Sequence, residues 1–286
     1  MKKLASILIT TAFFANVSIA DTTETSATAP VATATGEGLA VIDSKENESI
    51  QVNQYFKISP ETRHEEDQQF SYTIDTKIPQ IYADNLTAPA QEFNRLINES
   101  VKQSIQQFKN YVKADMPHMQ TLPDAIKHNS LRIDYDIDVV KPENQTIVSV
   151  RLSIEGMQAG RAHPYHMHKV FNFDLSKGKL LTLNDIFKPG TKYLTLFAKY
   201  SNKSLNEKLH DKWMIAAGTA PTLKNYAHWN LEDDGILITF DEYQVAPYVD
   251  GPQEVEIPYT ELRPLILSKA PIVGCVINSE SCAMLS

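Results

Sequence analysis

Residues 131–140 read Leu-Arg-Ile-Asp-Tyr-Asp-Ile-Asp-Val-Val, a strict alternation in which Ile133, Tyr135, Ile137 and Val139 face one way and Asp134, Asp136 and Asp138 the other. A period of two is the signature of a strand with one dry face and one wet face. Two further strand-like runs follow, Thr146 to Met157 and Tyr165 to Leu175, separated by Gly160, Ala162 and Pro164. The second run ends in Ser176, Lys177 and Gly178, a tight-turn signal. Together the three runs predict an antiparallel meander.

Upstream, Phe70, Tyr72, Ile74, Thr76 and Ile78 alternate in the same way until Pro79, where the strand is expected to stop. A helix is expected next. Thr87 suits its cap and Pro89 its first turn, and Phe93, Ile97, Val101, Ile105, Phe108 and Val112 recur at spacings of three and four on one face. Asp115, Met116 and Pro117 are expected to end it. Downstream, Asn184 or Asp185 can open a short helical turn, and Leu194, Phe197, Leu205 and Leu209 mark an amphipathic helix from about Thr191 to Leu209. Two more strands are expected, at about Leu223 to Leu231 and Ile236 to Phe240. The fold class is therefore α+β: an antiparallel β-sheet with two long amphipathic helices packed on it, preceded by a smaller strand and helix unit.

At the N-terminus, Lys2 and Lys3 precede an apolar run from Leu4 to Val17 that ends at Ser18, Ile19 and Ala20. That run is shorter than the roughly 18 residues a membrane span needs, so residues 1–20 read as a cleavable signal peptide. No cysteine follows the cleavage position to carry a lipid. Its removal takes two lysines and no acid, turning a formal charge of −8 into −10. An acidic surface repels nucleic acid and anionic lipid and speeds encounter with basic partners. Residues 21–45 are rich in Thr, Ala, Ser, Glu and Pro and read as a disordered linker. The remaining divisions are a smaller α+β unit at 46–130, a larger domain at 131–270 and a tail at 271–286. Cys275 and Cys282 are expected to pair in that tail, since the chain is directed to a compartment where disulfides persist.

The segment FDEYQVAPYVDGPQEVEIPYTEL, Phe240 to Leu262, follows a separate upstream motif, AHPYHMHKVFNFDLSKGKLLTLNDIF. Phe240, Tyr243, Val245, Ala246, Pro247, Tyr248, Gly251, Val255, Ile257, Pro258 and Tyr259 in the first carry a resemblance. So do Ala162, His163, Asn172, Phe173, Asp174, Gly178, Leu181, Leu183, Asp185 and Phe187 in the second. The two motifs together resemble the RsiV-like family. This is the domain of unknown function in the lysozyme-sensing anti-sigma-V factor, also found beside some peptidoglycan deacetylases. The resemblance implies an envelope binding module for a basic, lysozyme-like protein or a cell-wall glycan. It covers about Leu131 to Leu267, and the part before it is similar to the smaller domain that often precedes this one.

Candidate binding residues follow from both readings. Tyr243, Tyr248 and Tyr259 can stack on a sugar or anchor an interface, against the plainer reading that they pack as structural aromatics. Asp134, Asp136 and Asp138 form either an acidic stripe for a basic ligand or a solvated sheet face. His163 sits at a turn beside Pro164. His166 and His168 share a strand face, a spacing that suits zinc or copper, but no Glu or Cys follows at a supporting spacing, so no metal and no cofactor is expected. Thr239, Phe240 and Asp241 look like the start of a polysaccharide deacetylase metal motif, but the histidines precede it and Glu242 stands where a second Asp belongs. No Gly-x-Ser-x-Gly elbow, His-Glu-x-x-His helix or phosphate loop occurs. The alternatives are an envelope hydrolase or deacetylase accessory factor, which would rest on Asp241, Glu242 and His163, and a structural envelope protein.

Overall fold

In the computed structural model, residues 49–142, 145–277 and 282–285 are described. The expected signal peptide and linker at 1–45 lie outside them. The alternation at 131–140 produces the strand β4 (Asn129–Pro142), which pairs antiparallel with β5 (Ile147–Met157), and β5 with β6 (Tyr165–Asp174), as the meander requires. Preceding these are β1 (Ile50–Gln51), β2 (Phe56–Asp67) and β3 (Tyr72–Ala83). The short β7 (Lys179–Leu180) folds back on β6 across a turn where Gly178 adopts φ +67. The large sheet runs β1-β2-β3-β4-β5-β6-β7, with β11 (Cys282–Leu285) also paired to β4. It continues without a break across residue 130.

Two expectations about β3 are corrected. The strand does not stop at Pro79: β4 pairs with β3 only through Thr76, so beyond that point the missing N–H forfeits no bond on that side, and Pro79 lies opposite Pro60 of β2. The β3–β4 pairing is also parallel. It is bridged by α1 (Ala88–Met119), a crossover that parallel neighbours need. The Thr87 hydroxyl accepts from the Ala90 N–H at 3.4 Å, and the helix runs two residues past Pro117 instead of ending there. Phe93, Ile97, Val101, Phe108 and Val112 are buried against Ile74, Ile133, Val150, Leu152 and Phe173 on one face of the sheet.

The opposite face of β5 and β6 carries a second, three-stranded sheet of β8 (Trp229–Leu231), β9 (Gly235–Phe240) and β10 (Gln253–Pro258), in the order β10-β9-β8. The seam between the sheets is polar and hydrogen-bonded, although the buried Asn230 Oδ1 within it has no partner among the described residues. Asn172 donates from Nδ2 to the Trp229 carbonyl (2.8 Å), while its Oδ1 accepts from the Leu231 N–H (2.9 Å) and the Ser149 hydroxyl (3.0 Å). Buried amides paired in this way fix one docking register. Arg151 adds a charged clasp, donating to Asp136 (2.9 Å) on its own sheet and to Thr239 (2.8 Å) and Glu254 on the other. The aspartate row is therefore in part an inter-sheet contact.

A short helix, α2 (Leu183–Ile186), is capped by Thr182 and Asp185. The second long helix, α3 (Tyr193–Lys208), packs on β10 and so covers the small sheet instead of sharing the large one with α1. Phe187, Phe197, Tyr226 and Phe240 form a chain of edge-to-face contacts at 5.4–5.9 Å through this second core. The strand expected from Leu223 is reduced to Trp229–Leu231, and α4 (Lys212–Gly218) was not anticipated. The chain closes with α5 (Tyr259–Leu262), α6 (Val273–Ile277) and the Cys275–Cys282 disulfide, which ties α6 to the strand that pairs with β4. Among the described residues no helix is long and apolar enough to cross a membrane.

Candidate functional site

The polar ends of β6 and β9 meet at one place. His166 and His168 project from the same face of β6, as their spacing requires, and each ring finds a carboxylate just past the end of β9. His168 Nδ1 lies 2.6 Å from Asp241 Oδ1, and His166 Nδ1 lies 2.6 Å from Glu242 Oε1. The Nε2 of His166 faces Glu155 at 3.4 Å. The other oxygen of Asp241 meets His228 Nδ1 at 3.3 Å. Burial alone would raise the Asp241 carboxyl, but the hydrogen bonds from His168 and His228 outweigh it and hold it at about 2. His168 and His228 thus share Asp241 while His166 is held by Glu242, an arrangement that anchors the β9–β10 connection to the large sheet.

That connection, residues 241–252, is locked from its other side as well. Gln244 donates through Nε2 to the carbonyls of Gly218 (3.2 Å) and Asn225 (2.9 Å). The Gln244 carbonyl lies so close to Gly218 that a Cβ there would sit 2.0 Å from it. Val245 and Ala246 are buried, so the backbone must emerge again through Pro247 and turn at Gly251, where φ is +66. Tyr243 is held at φ +62, a conformation an aromatic residue adopts only at a cost of order 1–3 kcal/mol, and its ring is 58% exposed. Tyr248 stacks on His163 with ring centroids 3.9 Å apart, stands 6.0 Å from Tyr243 and 6.2 Å from His166, and is followed by Val249 at 87% exposure. The result is a loop projection that exposes Tyr243 and Val249, with Tyr248 half-buried on His163.

The expected site residues therefore separate. His163, Tyr243 and Tyr248 come together at the projection, with His166 behind them. Tyr259 does not join them; it is buried, and its hydroxyl donates to the Glu232 carbonyl at 2.8 Å, which makes it a packing residue. Asp134 pairs with Arg132 on its own strand (3.1 Å) and Asp136 with Arg151. Asp138 lies at the far end of the row, where burial and then the neighbouring Asp136 and Asp233 push its carboxyl up to about 6. There it joins Glu232, raised to about 7 by burial and by Asp138, Glu256, Asp234 and Asp233. The carboxylates of Glu232, Asp234 and Glu256 approach within 4.8 Å of one another, close enough for a cation; clusters of this kind are common on acidic surfaces without one. His166 and His168 are instead taken up by separate carboxylates. Asp241, Glu242 and His228 were not foreseen as their partners because 60 or more residues of chain intervene, and only the polar Asp-Glu pair after the apolar β9 run hinted at it.

A groove of about 570 Å³ opens beside the projection, lined by Ala217, Gly218, Lys224, Asn225, Ala227, His228, Asp241, Glu242, Tyr243 and Gln244.

Comparison with known proteins places this segment. Residues 184–260 match the family model described as a protein of unknown function, DUF3298. The matched stretch contains the Asp241–Glu242 pair, Tyr243 and Tyr248, but not His163. The chain is similar to the anti-sigma-V factor RsiV of Bacillus subtilis, 25% identical over 218 residues that cover 73% of this chain and 70% of that protein. It is also similar to the peptidoglycan-N-acetylmuramic acid deacetylase PdaC of the same organism, 29% identical over 180 residues. That similarity covers 62% of this chain but only 36% of PdaC, so the chain spans about a third of that relative's length. In fold it resembles two crystal structures of DUF3298 members. The one from Bacteroides fragilis has TM-score 0.56 at 17% identity, covering 77% of this chain and 97% of that one. The one from Pseudomonas aeruginosa has TM-score 0.50 at 14% identity, covering 76% and 95%.

Proposed function

We propose that the protein is a secreted or periplasmic envelope binding protein whose ligand is a basic, lysozyme-like protein, docked on the projection formed by His163, Tyr243, Tyr248 and Val249. The observation that carries this reading is the shape of the projection. Tyr248 is pre-stacked on His163 and the start of its loop is held at Asp241, Glu242 and Gln244, which reduces the side-chain and loop entropy to be lost on binding. Exposed, pre-positioned tyrosines are favoured interface anchors. The acidic balance of the chain, −8, favours a basic partner and speeds its encounter. The similarity to RsiV and to a peptidoglycan-acting enzyme, together with the disulfide, supports a place in the cell envelope.

The test is lysozyme affinity by surface plasmon resonance for the protein and for Tyr248→Ala and His163→Ala. Loss of a central aromatic anchor costs about 2 kcal/mol or more, so Tyr248→Ala is expected to weaken binding about 30-fold, with a smaller effect from His163→Ala. Equal affinities for all three proteins would dismiss the projection as the contact surface.

A further inference from the structure

The β8–β9 turn gathers carboxylates that no cation answers. Glu232, Asp233 and Asp234 come from the turn itself, Glu256 from β10 and Asp138 from β4, and among the described residues none of them is in an ion pair. Arg151 also acts on Asp138 but is already bonded to Asp136 and Glu254. The Glu256 side chain leans toward the turn, since its Oε1 would lie 3.3 Å from a Cβ on Gly235. Oxygens of Glu232, Asp234 and Glu256 all lie within 4.8 Å of one another. Like charges held this close repel, and the half-buried position of Glu232 weakens the screening that water would give. An acidic cluster alone needs no ion. What sets this one apart is an amide beside it. Trp229 and Leu231 belong to the core that includes α3, so Asn230 between them faces the large sheet, where its Nδ2 donates to the Ser149 hydroxyl at 2.9 Å. Asn230 is only 4% exposed, yet its Oδ1 accepts no hydrogen bond.

The register sets the surroundings of that amide. Glu232 follows two residues on, Glu256 shares the cross-strand row of Asn230 through Leu237, and Asp138 is the β4 neighbour of Ser149. With Nδ2 turned to Ser149, the free Oδ1 is left on the side of these acids, and ionised carboxylates have no proton to give it. A cation answers both needs, offsetting the charge and taking the amide lone pair. The donors are all oxygens, with no His or Cys among them, which selects a hard cation over zinc or copper. Ligands drawn from β4, β8, β10 and a turn, some on exposed side chains that can adjust, suit the variable coordination of calcium better than the strict octahedron of magnesium. We infer that Glu232, Asp234 and Glu256, with the Asn230 amide oxygen beneath them and Asp138 closing the site from the large sheet, bind one calcium ion that fastens the small sheet to the large one. The site uses no residue of the projection, so it stands or falls independently of the lysozyme contact.

The test uses the full chain, stripped with EDTA and titrated by calorimetry with calcium chloride and, separately, magnesium chloride. Calcium is expected to occupy a single site with a Kd of about 0.1–1 mM, and magnesium to bind about tenfold more weakly. At about ten times that Kd, calcium should raise Tm by about 3–5 °C. Glu232→Gln and Glu256→Gln each remove a charged ligand and should weaken calcium about tenfold, while Glu66→Gln, at the opposite end of the large sheet, should leave it unchanged. The first two substitutions relieve repulsion in the calcium-free chain, so neither is expected to unfold it, which circular dichroism would verify. In NMR spectra the side-chain amide of Asn230 should shift with the same Kd, which an ion resting only on the exposed rim would not produce. Absence of saturable heat and of any rise in Tm up to about 10 mM calcium, an affinity that survives Glu232→Gln, or an Asn230 amide that does not move would overturn the assignment.

Discussion

Replacing Glu232 with Gln is expected to stabilise the protein above neutral pH and to do nothing in acid. The side chain is half-buried at the start of the β8–β9 turn, with Asp138 on the large sheet, Asp233 and Asp234 beside it and Glu256 across on β10. Burial, then this surrounding negative charge, raises its carboxyl from 4.5 to about 7. A folded-state value above the unfolded one means the folded protein holds the proton more tightly. The associated stability is complete below about pH 4 and is lost as pH rises through about 7. A displacement of that size corresponds to at most about 3 kcal/mol, and solvent screening of a half-exposed group reduces it to about 1–2 kcal/mol. Gln keeps the volume and cannot ionise. Urea unfolding at pH 4, 6 and 8 should therefore show the variant equal to the parent at pH 4 and about 1–2 kcal/mol more stable at pH 8. A variant no more stable than the parent at pH 8, or a parent whose stability is flat between pH 4 and 8, would refute the reasoning.

Three further outcomes follow, two from contacts around the projection and one from the disulfide. Asp241→Asn should lower stability by about 1–2 kcal/mol at pH 7, and because the folded value is depressed from 3.8 to about 2, the difference should fade as pH falls through about 2 in denaturant titrations. Gly218→Ala puts a Cβ 2.0 Å from the Gln244 carbonyl, so it should cost about 1–3 kcal/mol and, by displacing the 241–244 turn, also weaken ligand binding measured on the folded variant. The double change Cys275→Ser with Cys282→Ser should cost about 2–3 kcal/mol and speed hydrogen exchange at Val139 to Lys141, where β11 pairs with β4.

Much of the architecture was legible because it rests on local periodicity. The alternation at 131–140 and the three-and-four spacing from Phe93 to Val112 each encode an inward face within one segment, and both faces pack into the core, with Tyr135, Ile137 and Ile105 only partly buried. β2 was not legible: Lys-Ile-Ser-Pro-Glu-Thr-Arg-His-Glu-Glu-Asp has no alternation, since this strand lies near the sheet edge with little to bury. Pro79 misled because a proline is harmful in a strand only where its N–H is needed, and that depends on a neighbour the local sequence does not name. The same limit governs the site. His166 and His168 were visible as a pair on one face, but their carboxylates arrive from 73–76 residues away. Tyr248 and Tyr259 have the same side chain and the same motif, and only packing separates the half-buried ring from the fully buried one. Asn172 was matched as a motif residue before its role in clipping the two sheets together could be known.

The most direct measurement is calorimetric titration of the protein with hen-type lysozyme at low and at physiological salt. A contact made by the Tyr248 projection and only steered by charge should saturate at both, with affinity falling modestly as salt rises. Absence of binding, or binding that disappears at physiological salt, would contradict a lysozyme-type ligand at this site.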